Sequence, residues 1–235
     1  GYYWSSNASH SFGVAKSTDD QLQCFLRESL PDDQFISGQF LSGMDSKTMQ
    51  ANADLFRIAE LVRADEDLTW LVLTTPAPFL MQTMQSRNDT AEVLSQIDAY
   101  LDTYGHQGYS MDFVVPTQKE DPAALFATLK AMVQDPDYHP RQQEERAGGI
   151  REQKYADIST KLSGMAWWQF RFRLWLARRF NYIREEVAFL FGYTWSTLRP
   201  MAFELGRRLV DAGTFKDKED TFYLVTEELQ RAIEA

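Results

Sequence analysis

One long stretch without a helix breaker constrains the fold of this chain more than any other feature. Between Trp167 and Phe191 the sequence contains neither Gly nor Pro, and aromatic, Leu and Arg residues recur throughout. At 3.6 residues per turn, the stretch is long enough for about seven turns of helix. Aromatic residues fall on nearly every side of that helix, which predicts burial against several neighbours. We therefore expect the rest of the chain to pack around it.

The sequence after this stretch predicts a second helix. Gly192 is expected to end or kink the first helix, and the next is predicted from about Thr194 to Ala212. Pro200 lies inside this second helix and is expected to bend it, because proline removes a backbone hydrogen bond. Gly213 is well placed as its C-terminal cap.

Helical patterns also cover most of the preceding chain. Further helices are predicted at residues 18–30, 47–64, 70–73, 78–85, 90–104, 121–134 and 141–161. Asp45 or Ser46 is expected to cap the second of these, and the last is expected to break or fray at Gly148-Gly149. Residues 70–73 could also form a buried strand, but the flanking helices favour a helix. Residues 1–17 show no sustained period and are predicted to be an irregular lead-in. Met111–Pro116 favours a strand, but one strand cannot form a sheet. The predicted fold class is therefore all-α: an irregular multi-helix bundle built around one long helix rich in aromatic residues and Arg.

Composition narrows the functional classes. A length of 235 residues with 44% hydrophobic residues suits one domain or two small ones. Because no linker is long enough to separate two domains, a single helical domain over residues 1–235 is predicted. The net charge of -10 argues against a general nucleic-acid or anionic-membrane surface, and no apolar run approaches the roughly 18 residues of a membrane span. The single cysteine, Cys24, cannot form an internal disulfide, which favours the reducing cytoplasm. Cys24 is also expected to be a small buried apolar residue. The abrupt start without Met suggests a piece of a larger protein.

Motifs of self-sufficient active sites are missing from the sequence. It contains no glycine-rich phosphate loop, no H-x-x-x-H or C-x-x-C pair and no G-x-S-x-G elbow. We therefore predict no catalytic residue, no metal site and no bound cofactor in this chain.

Four segments nevertheless resemble, in the same order, parts of the phosphoenolpyruvate-synthase-like (PEP-utilising) phosphotransferases, the superfamily that includes rifampin phosphotransferase and phenylphosphate synthase. Leu41–Arg63 is similar to a loop of the form L-x-G-x-x-[ND]-K-[ST] followed by a helix. The second segment contains Tyr104-Gly105-His106, Gly108, Asp112, Pro116 and Glu120-Asp121-Pro122, and is similar to a Y-G-H-R-G turn with a downstream E-D-P. The third is Ile183-Arg184-Glu185, which falls where the family has an Arg-Glu pair on a long helix. The segment before the mobile histidine domain is matched by Gly206-Arg207-Arg208-Leu209, Gly213, Glu219-Asp220, Phe222-Tyr223-Leu224 and Glu227-Glu228-Leu229.

This resemblance implies a role as the helical acceptor-binding domain of such a phosphotransferase. In the family, an ATP-grasp domain charges a histidine of a swivelling domain, which then delivers the phosphoryl group to a hydroxyl of a small substrate. The carrier histidine has a Thr-Ser-His-Ala context, which none of His10, His106 and His139 shares. We therefore expect ATP and Mg²⁺ to serve the full-length assembly, with the missing domains supplied in cis or trans, and this chain to be inactive alone. The aromatic content favours an apolar or aromatic acceptor. The alternative is a non-catalytic helical module that binds a ligand or another protein.

Candidate substrate-binding residues lie along the long helix. Residues eleven apart differ by only about 20° in direction. One stripe therefore contains the predicted binding residues Arg173, Phe180, Arg184 and Phe191, together with two small alanines, Ala177 and Ala188. By resemblance Arg184 approaches the acceptor hydroxyl, although Ala188 stands where rifampin phosphotransferase has a Lys. The alternative for Arg184 is an ion pair with a neighbouring helix that only stabilises the bundle.

His106 is the last predicted binding residue. It follows Gly105, which is expected to cap a helix, so it either closes that turn through a backbone hydrogen bond or faces the substrate.

Overall fold

The structure is a computed structural model that describes residues 2–42, 46–108 and 114–234, with side chains described from Ser9 onward. Its α-helices are α1 (Tyr2–Ser29), α2 (Gly38–Leu41), α3 (Lys47–Arg63), α4 (Glu66–Thr74), α5 (Ala77–Gln85), α6 (Ala91–Tyr104), α7 (Ala123–Gln134), α8 (Pro140–Lys161), α9 (Gly164–Asp211) and α10 (Thr226–Glu234). A 3₁₀ helix spans Lys218–Tyr223. In the described part of the chain the only β-type pairing is an isolated bridge between Gly108 and Thr117, so the all-α prediction is confirmed.

The predictions for α3 to α7 agree with the structure to within a few residues. Local signals explain this agreement. The Ser46 side chain accepts a hydrogen bond from the Met49 N–H at 3.2 Å, which satisfies one of the unpaired donors of the first turn of α3. Asp45, the other expected cap, lies outside the described residues.

The prediction of an irregular lead-in at residues 1–17 is wrong, because α1 already begins at Tyr2. Ser, Asn and Gly lower helix propensity locally, but burial of one face of the helix outweighs that cost. Ala15, Leu22 and Leu26 are almost completely buried at helical spacing. Cys24 lies off this face and is exposed, so its predicted burial is also wrong.

The two helices expected on either side of Gly192 form one continuous helix, α9. Neither Gly192 nor Pro200 ends it. The predicted cap, Gly213, is confirmed: its φ of 79° is left-handed, which glycine adopts without steric cost. Its N–H bonds the Val210 carbonyl at 2.9 Å, and the Thr214 N–H bonds the Leu209 carbonyl at 2.9 Å, the paired bonds of a Schellman motif.

Helix α8 likewise continues through Gly148 and Gly149, so the break expected there is wrong. Two glycines cost helix stability of about 1 kcal/mol each relative to Ala. Contacts elsewhere on the helix hold it nonetheless, since Ile158 is completely buried. Packing at one end therefore sets the extent of the helix.

Contacts between Cα atoms divide the chain into two compact units, each discontinuous in sequence. The first contains residues 1–74 and 128–191, and the second contains residues 75–127 and 192–235. The chain passes from one unit to the other between α4 and α5, within α7 and within α9. The assignment of residues 1–235 to a single domain stays a prediction.

A cluster of apolar residues forms the core of the first unit. Helix α9 contributes three of them at helical spacing, Phe170, Leu174 and Ala177. Phe40 packs edge-on against Phe170, with ring centroids 5.5 Å apart. The other members come from α1, α8 and the segments that follow each: Leu22, Phe25, Leu26, Phe35, Ile158 and Leu162.

The expectation that α9 is buried on several sides is wrong for part of its aromatic set. Trp168, Phe172 and Trp175 are 62%, 46% and 59% exposed. Their rings stack in sequence along one face, with centroids 5.8 Å and 6.2 Å apart. In this unit α9 therefore has one buried stripe and one exposed aromatic face.

In the second unit, α5 packs against α6. Leu80 and Met84 from α5 and Ile97 from α6 are almost completely buried. None of the helices in the described ranges is long and apolar enough to cross a membrane.

Candidate functional site

The first unit brings together two of the four family-like segments. The Thr48 hydroxyl, in the first turn of α3, donates a hydrogen bond to Glu185 Oε2 on α9 at 3.2 Å. Arg184 Nη2 donates to the other oxygen of the same carboxylate at 2.9 Å. Lys47 Nζ lies 5.7 Å from the centroid of the Phe189 ring. These five residues, called the α3–α9 cluster below, join positions separated by more than 130 residues in sequence.

The charges of the α3–α9 cluster favour an anionic or strongly polar ligand. The cluster contains two cations, Lys47 over the Phe189 ring and Arg184, and one carboxylate, Glu185, which pairs with Arg184. Glu185 accepts bonds from both Thr48 and Arg184, which fixes the start of α3 against α9. The Arg184 side chain is 38% exposed, so its guanidinium can be reached from solvent. A guanidinium has five N–H donors, and those not directed at Glu185 suit the oxygens of a phosphoryl group.

Among residues 9–42, 46–108 and 114–234, the ion pair found for Arg184 is within its own helix and not with a neighbouring one. Its carboxylate partner is the adjacent residue of its own helix, and the link to α3 passes through Glu185. The role of Arg184 in substrate binding stays a prediction.

Arg173 lies on a part of α9 that faces α1, away from the α3–α9 cluster. Its guanidinium lies over the Phe25 ring of α1, 4.8 Å from the centroid. It lines a groove of about 660 Å³ between α1 and α9, together with Lys16, Asp20 and Glu28. Eleven residues correspond to about 16 Å of helix, so Arg173 lies well away from Arg184.

Phe180 and Phe191 are partly buried on the same helix. They flank Arg184 in sequence and belong to the stripe that helical geometry predicts. Their role as substrate-binding residues stays a prediction.

His106 belongs to the second unit. The residue is 6% exposed, and its ring stacks on Tyr193, with ring centroids 3.7 Å apart and planes 8° from parallel. A Cβ atom built at Gly192 would lie 3.0 Å from His106 Cδ2 and 3.0 Å from its carbonyl oxygen. The glycine thus permits α9 to approach this turn closely. The structure places His106 within a packed contact, and its role in substrate binding stays a prediction.

Sequence reasoning missed a buried ion pair in the second unit. Arg199, whose side chain is 6% exposed, pairs with Glu120 through Nε at 2.9 Å and bonds the Val114 carbonyl through Nη1 at 2.6 Å. Its guanidinium also lies over the rings of Phe203 and Phe222. Arg199 therefore connects Glu120 of one family-like segment with Phe222 of another. No sequence pattern around Arg199 predicts a buried ion pair. Only the resemblance at Glu120 pointed to this region.

The acidity of Glu120 reflects this pairing. Burial alone would raise the pKa of its carboxyl group. Hydrogen bonds from the Thr117 backbone, from Arg199 and from the Thr117 hydroxyl, with the charge of Arg199, hold the pKa below its ordinary value.

Within residues 2–42, 46–108 and 114–234, no group of three or more His, Cys, Asp or Glu residues is arranged to hold a metal ion.

Comparisons with known proteins place the chain in context. A family model described as the rifampicin phosphotransferase fourth domain matches residues 9–185. This range contains four of the five residues of the α3–α9 cluster, all but Phe189, and ends at Glu185, before the last of the four family-like segments. The chain is also 24% identical to chondramide synthase of Chondromyces crocatus over 211 residues, which cover 87% of this chain and 5% of that protein. The chain thus spans a small part of this curated relative.

Proposed function

Because the chain belongs to the family of the rifampicin phosphotransferase fourth domain, we propose that it is the acceptor-binding domain of a phosphotransferase. In this proposal it holds a small apolar or aromatic substrate and presents one of its hydroxyl groups to a phosphohistidine on another domain. Family membership supports the proposal, since the match covers Lys47, Thr48, Arg184 and Glu185 of the α3–α9 cluster.

The observation that carries the proposal is the convergence of Lys47 and Thr48 with Arg184 and Glu185. Phosphoryl transfer requires fixed positive donors where negative charge develops on the transferred group. Arg184 supplies such donors, and Glu185 orients its guanidinium. Lys47 brings a second cation near Phe189, next to Ala188, the position at which the resembled enzyme has a Lys.

Other parts of the reaction belong to other domains in this proposal. The ATP-grasp and swivelling histidine domains act in cis or trans, and ATP and Mg²⁺ serve the assembly without binding to this chain. The cytoplasm is the proposed compartment, because the single cysteine cannot form an internal disulfide.

The test is phosphoryl transfer by the full-length assembly, measured with ATP over a panel of alcohols and phenols. Arg184→Met keeps the apolar stem of the side chain and removes its charge. We expect it to lower turnover at least about a hundredfold, or roughly 2.7 kcal/mol of transition-state stabilisation. The melting temperature should change by only a few degrees, because Arg184 is partly exposed.

Arg179→Met is the matched control. Arg179 is exposed on the same helix, outside the α3–α9 cluster and the stripe, so its replacement should leave turnover unchanged. An Arg184→Met variant that folds normally and turns over at the original rate would leave Arg184 as scaffold. Absence of transfer to every acceptor by an assembly whose histidine becomes phosphorylated would contradict the proposed function itself.

A non-catalytic module that binds a ligand or another protein is the second candidate. The observation that favours it is the match to one small part of a protein named as a synthase. The neighbouring coding sequence separates the two candidates. An ATP-grasp domain together with a Thr-Ser-His-Ala segment would support the phosphotransferase, and their absence from this and adjacent chains would support the module.

A further inference from the structure

A groove of about 450 Å³ in the first unit lies between α8 and α9, and its wall contains three arginines. Arg151 comes from α8, and Arg171 and Arg178 come from α9. One acidic residue, Glu152, is also present, and it is exposed. The remaining lining residues are Tyr155, Leu174 and Trp175. The net charge of the chain is -10, so the three arginines make this groove locally positive and favour an anionic ligand there.

Backbone contacts hold two of these guanidinium groups in position. Arg178 Nε donates to the Phe40 carbonyl at 3.2 Å, and Arg151 Nη1 donates to the Ser42 carbonyl at 2.9 Å. Both acceptors are backbone carbonyls, so these bonds fix the direction of the two side chains along the groove. Burial and the positive charge of Arg151 lower the pKa of Arg178, and Tyr155 opposes this in part. An anion in the groove would be attracted by both guanidinium groups.

The groove also offers a surface for a flat ring. The Trp175 side chain is 59% exposed and is the last ring of the stacked series from Trp168 through Phe172. Tyr155, on the other wall, is held by contacts with Trp167 and Phe170 at 5.4 Å and 6.1 Å between ring centroids. Aromatic faces next to guanidinium groups are well suited to a ligand that combines a ring with an acidic group.

We propose that this arginine groove binds a small aromatic anion, with its oxyanion among the three guanidinium groups and its ring against Trp175. The site is separate from the α3–α9 cluster. Arg178 and Arg184 lie six positions apart on α9, which corresponds to about 9 Å along the axis and about 120° around it. The proposal therefore goes beyond the proposed function and does not depend on it.

Calorimetric titration of the full chain tests the proposal with four probes: phenyl phosphate, benzoate, inorganic phosphate and phenol. We expect phenyl phosphate or benzoate to bind with a Kd below about 1 mM, with affinity falling as salt is added. The stronger of these two identifies the acidic group. Inorganic phosphate should bind more weakly because it lacks the ring, and phenol should not bind because it lacks the charge.

Arg171→Met is the informative variant, because Arg171 is exposed on α9 and its loss should not disturb the fold. We expect it to weaken binding of the preferred aromatic anion at least about tenfold, the scale of one lost charge-assisted hydrogen bond. Arg179→Met, on the same helix but outside the groove, should leave the affinity unchanged. Trp175→Leu should remove most of the preference for phenyl phosphate over inorganic phosphate.

Three outcomes would overturn the proposal. One is the failure of both aromatic anions to bind below about 1 mM. Another is an equal effect of Arg171→Met and Arg179→Met in folded protein, since it would report the general charge of the chain. The third is binding of phenol as tight as that of phenyl phosphate.

Discussion

At the scale of single residues, His106 shows how packing can account for a histidine within a family-like segment. Its stack on Tyr193 and its close approach to Gly192 place the ring inside the second unit. Aromatic pairs contribute about 0.5–1.5 kcal/mol beyond the area they bury. The stability role of His106 can therefore be measured separately from any role in turnover.

If His106 only packs within this turn and does not bind substrate, His106→Asn should lower the free energy of unfolding by about 1 kcal/mol and leave turnover of the proposed assembly intact. Denaturant unfolding and phosphoryl transfer measure the two quantities. The same change in a Tyr193→Leu background should cost less, because the stacking partner is already absent. A large loss of turnover in normally folded His106→Asn would instead place this residue at the substrate.

The Glu120–Arg199 pair predicts a dependence of stability on pH. The folded-state pKa of Glu120 lies below its ordinary value of 4.5. The unfolded chain therefore binds the proton more readily. The stabilisation is fully present above about pH 4.5 and is lost as pH falls through the folded-state value.

Glu120→Gln should lower the free energy of unfolding at pH 7 and flatten its fall on acidification. We expect a loss of about 2 kcal/mol, less than the roughly 3–5 kcal/mol of a fully buried pair, because Glu120 is 35% exposed. Urea unfolding between pH 7 and pH 3 measures both effects. Asp102→Asn is the control, since its ion pair with Lys119 is largely exposed and should contribute little. Equal behaviour of the two variants would contradict the assignment.

At the scale of elements, the sequence predicted helices where local signals and packing agree. Helix α3 has both a capping Ser46 and an apolar face, and it begins and ends close to the predicted residues. The sequence misled where local penalties oppose tertiary contacts. Pro200 costs about 3 kcal/mol inside a helix, yet α9 continues, with Arg199 beside it held by Glu120 and Val114.

The balance between helix propensity and tertiary contacts can be tested by replacing Gly149 and Gly192 with alanine. A Cβ at Gly149 in α8 would meet no atom within 4 Å, so Gly149→Ala should stabilise the chain by about 0.5–1 kcal/mol. The same change at Gly192 in α9 brings the same gain in helix propensity. Its Cβ would lie 3.0 Å from the His106 carbonyl oxygen, a backbone atom that cannot easily move. We therefore expect Gly192→Ala to be destabilising.

Thermal unfolding of both variants measures the difference in sign. Stabilisation by Gly192→Ala would mean that His106 is not held as closely to α9 as the structure has it. Destabilisation by Gly149→Ala would contradict the account of α8.

The candidate site was only partly accessible from the sequence. Resemblance singled out Arg184 as a binding residue. Glu185, Lys47 and Thr48 lie in two resembled segments but were not predicted to be site residues. Their contact depends on the long-range packing of α3 on α9, which no local pattern encodes. Arg173 shows the opposite case, since helical geometry placed it on the stripe of Arg184, while its cation–π contact with Phe25 of α1 depends on tertiary structure.

At the scale of the whole molecule, the four family-like segments meet in pairs, one pair within each unit. The first unit joins the start of α3 to the Arg-Glu pair of α9. In the second, Arg199 joins Glu120 to Phe222. These long-range contacts, and not the segments taken singly, make each unit a defined structure.

The last prediction concerns the catalytic competence of the isolated chain. A phosphocarrier needs an imidazole nitrogen that the donor can approach in line. His106 is 6% exposed, and His139 is only partly exposed, with its ring packed edge-on against Phe56 at 5.7 Å. His10 is exposed on α1 but lies between two serines, in a context unlike that of the resembled carrier.

We therefore expect the pure chain, incubated with radiolabelled ATP or phosphoenolpyruvate, neither to hydrolyse ATP nor to acquire acid-labile phosphate. The full-length assembly, treated in the same way, is the positive control and should become labelled on its separate histidine domain. His10→Ala distinguishes the one accessible candidate in this chain, because label that survives in the wild type and disappears in this variant would locate a carrier there. Such label would overturn the assignment of this chain as an acceptor-binding domain that depends on other domains for its phosphoryl group.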